Sequence, residues 1–169
     1  GSRFTFELPQ HPSTTQVTNA AFRSHEGYDK PEIAVATQTM LSTVRVLIAE
    51  DDAISRELLT DHLTPKVGHV EATVDGLAAL NHILTQQSDV LITDVKMPGM
   101  TGLELVRCIR ALPRLNELAI VVASSSINET AEADFLAAGA DYFLRKPYKM
   151  TKLRRIALDI LERRKAGGW

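Results

Sequence analysis

The stretch VRVLIAEDD, residues 44–52, decides the fold. Its apolar run over 44–49 reads as a strand, stops at three consecutive acids, Glu50, Asp51 and Asp52, and passes at once into a helical stretch at about 52–64. Working outward, the same unit recurs. Apolar runs at 69–74, 89–93, 119–123 and 141–144 are followed by amphipathic stretches at about 76–86, 101–111, 128–138 and 149–164. Five strand-then-helix units predict an α/β fold with a five-stranded, doubly wound parallel sheet, and right-handed crossovers place helices on both of its faces. Such sheets bind ligands beyond the carboxyl ends of their strands, so chemistry is expected just after those ends.

The chain before this pattern has a different texture. Residues 1–9, GSRFTFELP, read as a short strand in which Phe4, Phe6 and Leu8 alternate with polar neighbours until Pro9 stops it. Residues 10–42 are rich in Thr, Ser, Gln, Ala and Pro without a sustained period and read as a linker, which leaves 43–169 as the folded domain.

The bulk properties fit this division. Of the 169 residues, 44% are apolar and 24% charged, enough to bury a core without staples. The single cysteine, Cys108, has no internal partner and suits a reducing compartment. No apolar run approaches the roughly 20 residues that span a bilayer, so no membrane contact is expected from this stretch. A net charge of −2 gives no general attraction to nucleic acid. The basic residues from Arg145 to Lys165 read as the solvated face of a terminal helix whose apolar stripe is Leu153, Ile156, Ala157, Ile160 and Leu161.

Glu50, Asp51 and Asp52 follow the first strand, Asp94 closes the third, Ser124 ends the fourth, and Lys146 lies just past the fifth. Singly these are ordinary: a carboxylate after a strand is often a helix N-cap, a role expected of Asp52, and a lone lysine is surface charge. Jointly they crowd carboxylates into one crevice. Crowded carboxylates raise one another's pKa unless a cation joins them, and a hard divalent ion such as Mg²⁺ suits one or two carboxylates with waters and phosphate oxygens.

The strings VRVLIAEDD at 44–52, LITDVKMPGMTG at 91–102, AIVVASS at 119–125 and GADYFLRKP at 139–147 resemble the receiver domains of bacterial response regulators and hybrid sensor kinases. The resemblance covers nearly all of 43–165 and implies the flavodoxin-like receiver fold. It further implies that Asp94 accepts a phosphoryl group from a phosphohistidine and that an acidic pair holds Mg²⁺ together with Asp94 and the backbone carbonyl of Lys96, and counting back from Arg56 in the first helix favours Glu50 with Asp51 as that pair over Asp51 with Asp52. By the same resemblance Ser124 and Lys146 contact the phosphoryl oxygens, the bond before Pro147 is cis, and Phe143 swings inward on activation. Lys96 and Ser126 stand at positions that tune dephosphorylation in the family.

GSRFTFELP is similar to the end of the ATP-binding domain of sensor histidine kinases, which implies a hybrid kinase, cytoplasmic in this part even if its parent is membrane-anchored. The expected partners are then a histidine kinase phosphodonor domain and a histidine phosphotransfer protein, docked over the first helix, where Ile54 is the expected anchor. Those nine residues hold no ATP site. His25 with Glu26 has the wrong neighbours, Gly27 and Tyr28, for a kinase phosphohistidine box, and the other histidines show no metal-ligand spacing. Two other classes were open. An aspartyl-phosphate hydrolase needs an acid where Lys96 stands, and a pure partner-binding module has no use for the phosphorylation residues.

Overall fold

The computed structural model describes residue 39 and residues 41–125 and 129–165. The expected strand at 1–9, all of the expected linker save Thr39, Leu41 and Ser42, and Ser126 lie outside the described residues.

Five parallel strands alternate with five α-helices: β1 Arg45–Ala49, α1 Ala53–Leu63, β2 His69–Thr73, α2 Gly76–Thr85, β3 Val90–Asp94, α3 Gly102–Arg110, β4 Ala119–Ser124, α4 Glu129–Ala137, β5 Tyr142–Arg145 and α5 Met150–Lys165. The strand order is β2-β1-β3-β4-β5. The chain therefore winds outward one way from β1 to β2 and then crosses back to β3, which opens a crevice where the order reverses, between β1 and β3.

Both faces of the sheet are covered, which is why the central strands read as near-continuous apolar runs. Val46 and Ile48 of β1 point to one side, where Leu59 and Leu63 of α1 and Leu153, Ile156 and Ile160 of α5 pack on Ile92, Val121 and Leu144. Leu47 and Ala49 point to the other, against Ala79 and Ile83 of α2, Leu105, Val106 and Ile109 of α3, and Phe135 of α4. Leu41, which the sequence pattern leaves in the linker, is buried in the first of these layers.

Helix starts are fixed by side-chain caps. Asp52 accepts from Ser55 N at 2.8 Å, as expected of it, and Asp75 accepts from Ala78 N at 2.7 Å. Thr101 and Glu104 form a reciprocal capping box at the start of α3. The following residue admits no side chain: a Cβ on Gly102 would lie 2.2 Å from the Asp94 carbonyl oxygen. The loop after β3 is thereby pressed onto the end of the strand, and Gly99 makes its turn at φ +75°.

Candidate functional site

Strand register brings the expected residues together. Ala49 pairs with Thr93, so Glu50 and Asp94 emerge level from adjacent strands. Asp94 pairs with Ala123 and Ser124 with Arg145, which places Ser124 and Lys146 one step further along the same crevice. Carboxylate oxygens of Glu50, Asp51 and Asp94 all lie within 4.8 Å of one another.

Lys146 ties the acids together. Its Nζ donates to Glu50 Oε2 at 2.5 Å and to Asp94 Oδ1 at 2.7 Å. Burial works against its charge, yet its bonds to Asp94 and Glu50 outweigh that and hold the ammonium above the usual lysine range. Glu50 is 5% exposed, and burial pushes its carboxyl above the ordinary range despite the lysine. One ammonium thus serves two carboxylates, and a third, Asp51, stands exposed beside them. Oxygen-only donors with excess negative charge fit a hard divalent cation.

Asp94 is oriented from both sides. Its Oδ2 accepts the backbone N–H of Lys96 at 2.8 Å, while Oδ1 takes Lys146. Thr93, fully buried next to it, donates its hydroxyl to the Asp94 carbonyl at 3.0 Å. Lys96 itself is exposed. Ser124 is 2% exposed, and its carbonyl accepts from Lys146 N at 2.6 Å. The Lys146–Pro147 bond is cis, as the resemblance implies.

Phe143 is half-buried on the α4 side, with its ring centroid 6.0 Å from that of Phe135. Tyr142, its neighbour on the opposite face, packs against the other core layer and donates its hydroxyl to Asp159 of α5. On α1, Leu59 faces the core, whereas Ile54 and Leu58 are 70% and 55% exposed, and Ile54 lies in the first turn beside the acids.

Sequence reasoning missed several contributors. Arg56, whose spacing from the acids already favours Glu50 with Asp51 as the acidic pair, also donates from one nitrogen to the carbonyls of both, a contact that its place on the first helix does not announce. Tyr148 is half-buried behind the cis proline, and its hydroxyl is pushed up by burial and by the nearby carboxylates, with Lys146 opposing. Val74, which the apolar pattern puts inside the second strand, falls one residue past the end of β2 and is exposed, as is Leu77 in the first turn of α2.

The sequence over residues 46–158 matches the family described as the response regulator receiver domain. Among curated proteins, response regulator MprA of Mycobacterium bovis is 34% identical over 123 residues, covering 73% of this chain and 53% of that protein. The chain spans about half the length of the curated relatives it matches. Among solved structures, the signal receiver domain of a signal transduction histidine kinase from Syntrophus aciditrophicus is 27% identical with a TM-score of 0.66, over 71% of this chain and 91% of that one. The chemotaxis protein CheY4 of Vibrio cholerae is likewise 27% identical, with a TM-score of 0.65 over 70% of this chain and 98% of its own.

Proposed function

The chain belongs to the response regulator receiver domain family, and on that premise we propose that it takes a phosphoryl group from a phosphohistidine onto Asp94, with Mg²⁺ held by Glu50, Asp51, Asp94 and the Lys96 carbonyl. The observation that carries this reading is the single ammonium of Lys146 shared between Glu50 and Asp94 at 2.5 and 2.7 Å. It marks Asp94 as the carboxylate that already has a cation partner on one oxygen and a backbone donor on the other.

The chemistry follows from those partners. A carboxylate oxygen of Asp94 attacks phosphorus. A P–O bond forms as the P–N bond to the donor histidine breaks, and the departing imidazole keeps the electron pair and is protonated from solvent. Charge spread over the three equatorial oxygens has to be neutralised, which is most of what the protein does in phosphoryl transfer. Mg²⁺ held by these carboxylates would supply positive charge there. Lys146 supplies more, and the Ser124 hydroxyl supplies a donor from the next strand. A phosphoryl group on Asp94 then draws in Ser124, and Phe143, half-buried against Phe135, is the aromatic group that follows it inward.

The wider context is that of a hybrid histidine kinase. The string at 1–9 supports a kinase domain upstream, and the Syntrophus relative is itself a receiver domain of a histidine kinase. The donor is then a histidine kinase phosphodonor domain, the onward acceptor a histidine phosphotransfer protein, and the compartment the cytoplasm. No helix among the described residues is long and apolar enough to cross a membrane. The exposed Ile54 and Leu58, beside the acids, are the surface on which such a partner docks.

Intact-mass measurement after incubation with acetyl phosphate and Mg²⁺ tests the core of this reading. The wild-type chain is expected to gain one phosphoryl mass, and Asp94→Asn none while keeping its circular dichroism spectrum. A labelled Asp94→Asn protein would move the acceptor to Asp51 or Asp52. An unlabelled wild type would reduce the domain to a partner-binding module.

A further inference from the structure

We propose that Arg56 is a positioning residue that sets the direction of the exposed Asp51 carboxylate, and that it supports divalent-cation binding in spite of its own positive charge. The inference rests on the reading that Glu50 and Asp51 hold Mg²⁺. One guanidinium nitrogen of Arg56, Nη1, donates to the Glu50 carbonyl at 2.8 Å and to the Asp51 carbonyl at 3.1 Å. That nitrogen carries two hydrogens, one for each acceptor. The two peptide planes so held are those on either side of the Asp51 Cα. Since a residue has only two soft backbone dihedrals, φ and ψ, fixing both flanking planes fixes both, and with them the direction of its Cα–Cβ bond.

Asp51 needs this help more than its neighbours do. Glu50 is buried, continues the ladder through its N–H to the Thr73 carbonyl at 3.1 Å, and has Lys146 on its carboxylate. Asp52 is held by its capping bond to Ser55 N at 2.8 Å. Asp51, between them, is exposed, and its carboxylate takes part in none of the described hydrogen bonds. Its aim therefore comes from the backbone alone. Arg56 is well anchored for the task, because it sits one turn into α1 with its N–H bonded to the Asp52 carbonyl at 2.9 Å and its carbonyl accepting the Thr60 hydroxyl at 2.8 Å.

A guanidinium this close to the acids also places a positive charge near the expected ion. Electrostatics alone therefore predicts that neutralising Arg56 tightens Mg²⁺ binding, whereas positioning predicts that it loosens. The two accounts differ in sign.

The test is a Mg²⁺ titration of the ¹⁵N-labelled 169-residue chain, followed through the amide shifts of residues around Glu50, Asp51 and Asp94, for wild type, Arg56→Met and Arg56→Lys. Arg56→Met keeps the aliphatic stem and removes charge and donors. It is expected to bind Mg²⁺ about tenfold more weakly, the usual size of losing a group that orients a metal ligand. Arg56→Lys keeps the charge but cannot hold both carbonyls from one planar nitrogen, and is expected to fall between the two. Equal or tighter binding by Arg56→Met overturns the inference. If that variant fails to fold, wild-type affinity in Arg56→Lys overturns it instead. A wild-type chain with no Mg²⁺-dependent shifts at the three acids would remove both this inference and the metal reading beneath it. Shifts in the wild type with no effect of either substitution would remove this one alone.

Discussion

Lys146→Met should make the domain bind Mg²⁺ more tightly while making the metal-free fold less stable. The Lys146 ammonium donates to Glu50 Oε2 at 2.5 Å and to Asp94 Oδ1 at 2.7 Å, on two of the carboxylates proposed to hold the ion. An ion that takes those oxygens must displace at least one of these bonds. A hydrogen bond to a charged group is worth about 1.5–3 kcal/mol. The lysine side chain is 22% exposed, against 6% for Glu50 and 12% for Asp94, so water softens the exchange and the lower figure applies. Removing the lysine should return about 1.5 kcal/mol to the ion, an affinity gain of roughly tenfold. The same change strips the nearly buried Glu50 of the cation it shares with Asp94, which costs the metal-free protein about 1–3 kcal/mol. Calorimetric Mg²⁺ titration at neutral pH reads the first quantity, and thermal melting with EDTA and with saturating Mg²⁺ reads the second. The melting midpoint should drop in EDTA and recover in Mg²⁺. Weaker Mg²⁺ binding by Lys146→Met would refute the reasoning, since it would mean that the lysine assists the ion instead of standing in its place.

Acidification should release Mg²⁺ earlier than an ordinary glutamate would allow, because burial holds the Glu50 carboxyl above its usual 4.5 and its proton must leave before the ion binds. The raised value also means that this group favours the metal-free fold below its unfolded pKa and that the contribution is lost as pH rises through the folded one. Urea midpoints of wild type should accordingly decline relative to Glu50→Gln as pH rises from about 4.5. Gly102→Ala would drive a Cβ to within 2.2 Å of the Asp94 carbonyl, so a loss of about 1–3 kcal/mol in urea unfolding is expected, together with slower labelling at Asp94. Ile54→Asp should slow phosphoryl exchange with a histidine phosphotransfer protein about fivefold or more, the effect of losing an interface anchor, and leave labelling by acetyl phosphate unchanged. Equal loss of both activities would assign Ile54 to the fold.

The fold was legible because two periodicities alternate five times, and the departures at strand ends have local causes. Asp89 was expected inside β3, but its carboxylate accepts the Arg45 N–H at 2.7 Å, which caps the sheet at that point. Asp141 was expected inside β5 and instead accepts the Ile120 N–H at 2.7 Å and the Arg110 guanidinium at 2.9 Å. A side chain that takes over a backbone donor ends a ladder, and apolar patterning carries no signal for it. At the carboxyl ends the strands run a residue longer than the apolar pattern, to Asp94, Ser124 and Arg145, because β4 pairs on both sides and polar residues there still find ladder partners.

The site was legible as a set and opaque as a geometry. Glu50, Asp94, Ser124 and Lys146 were recognisable because each follows or ends a strand, yet what gathers them is register. Asp94 and Ser124 close their strands, and Glu50 and Lys146 come one residue after theirs, so a slip of one residue in any ladder would turn one group away from the others. That register is specified far from the crevice, by the alternation of Val46 and Ile48 against Leu47 and Ala49 into two different core layers. Arg56 is visible in the sequence as a marker of spacing from the acids, but what it holds is not. Its contacts are to carbonyl oxygens, which every residue has, so nothing in the identity of Glu50 or Asp51 announces that their backbone is held. Residues that act through side-chain chemistry leave a mark in the sequence, and residues that act by holding backbone become visible only when the chain is folded.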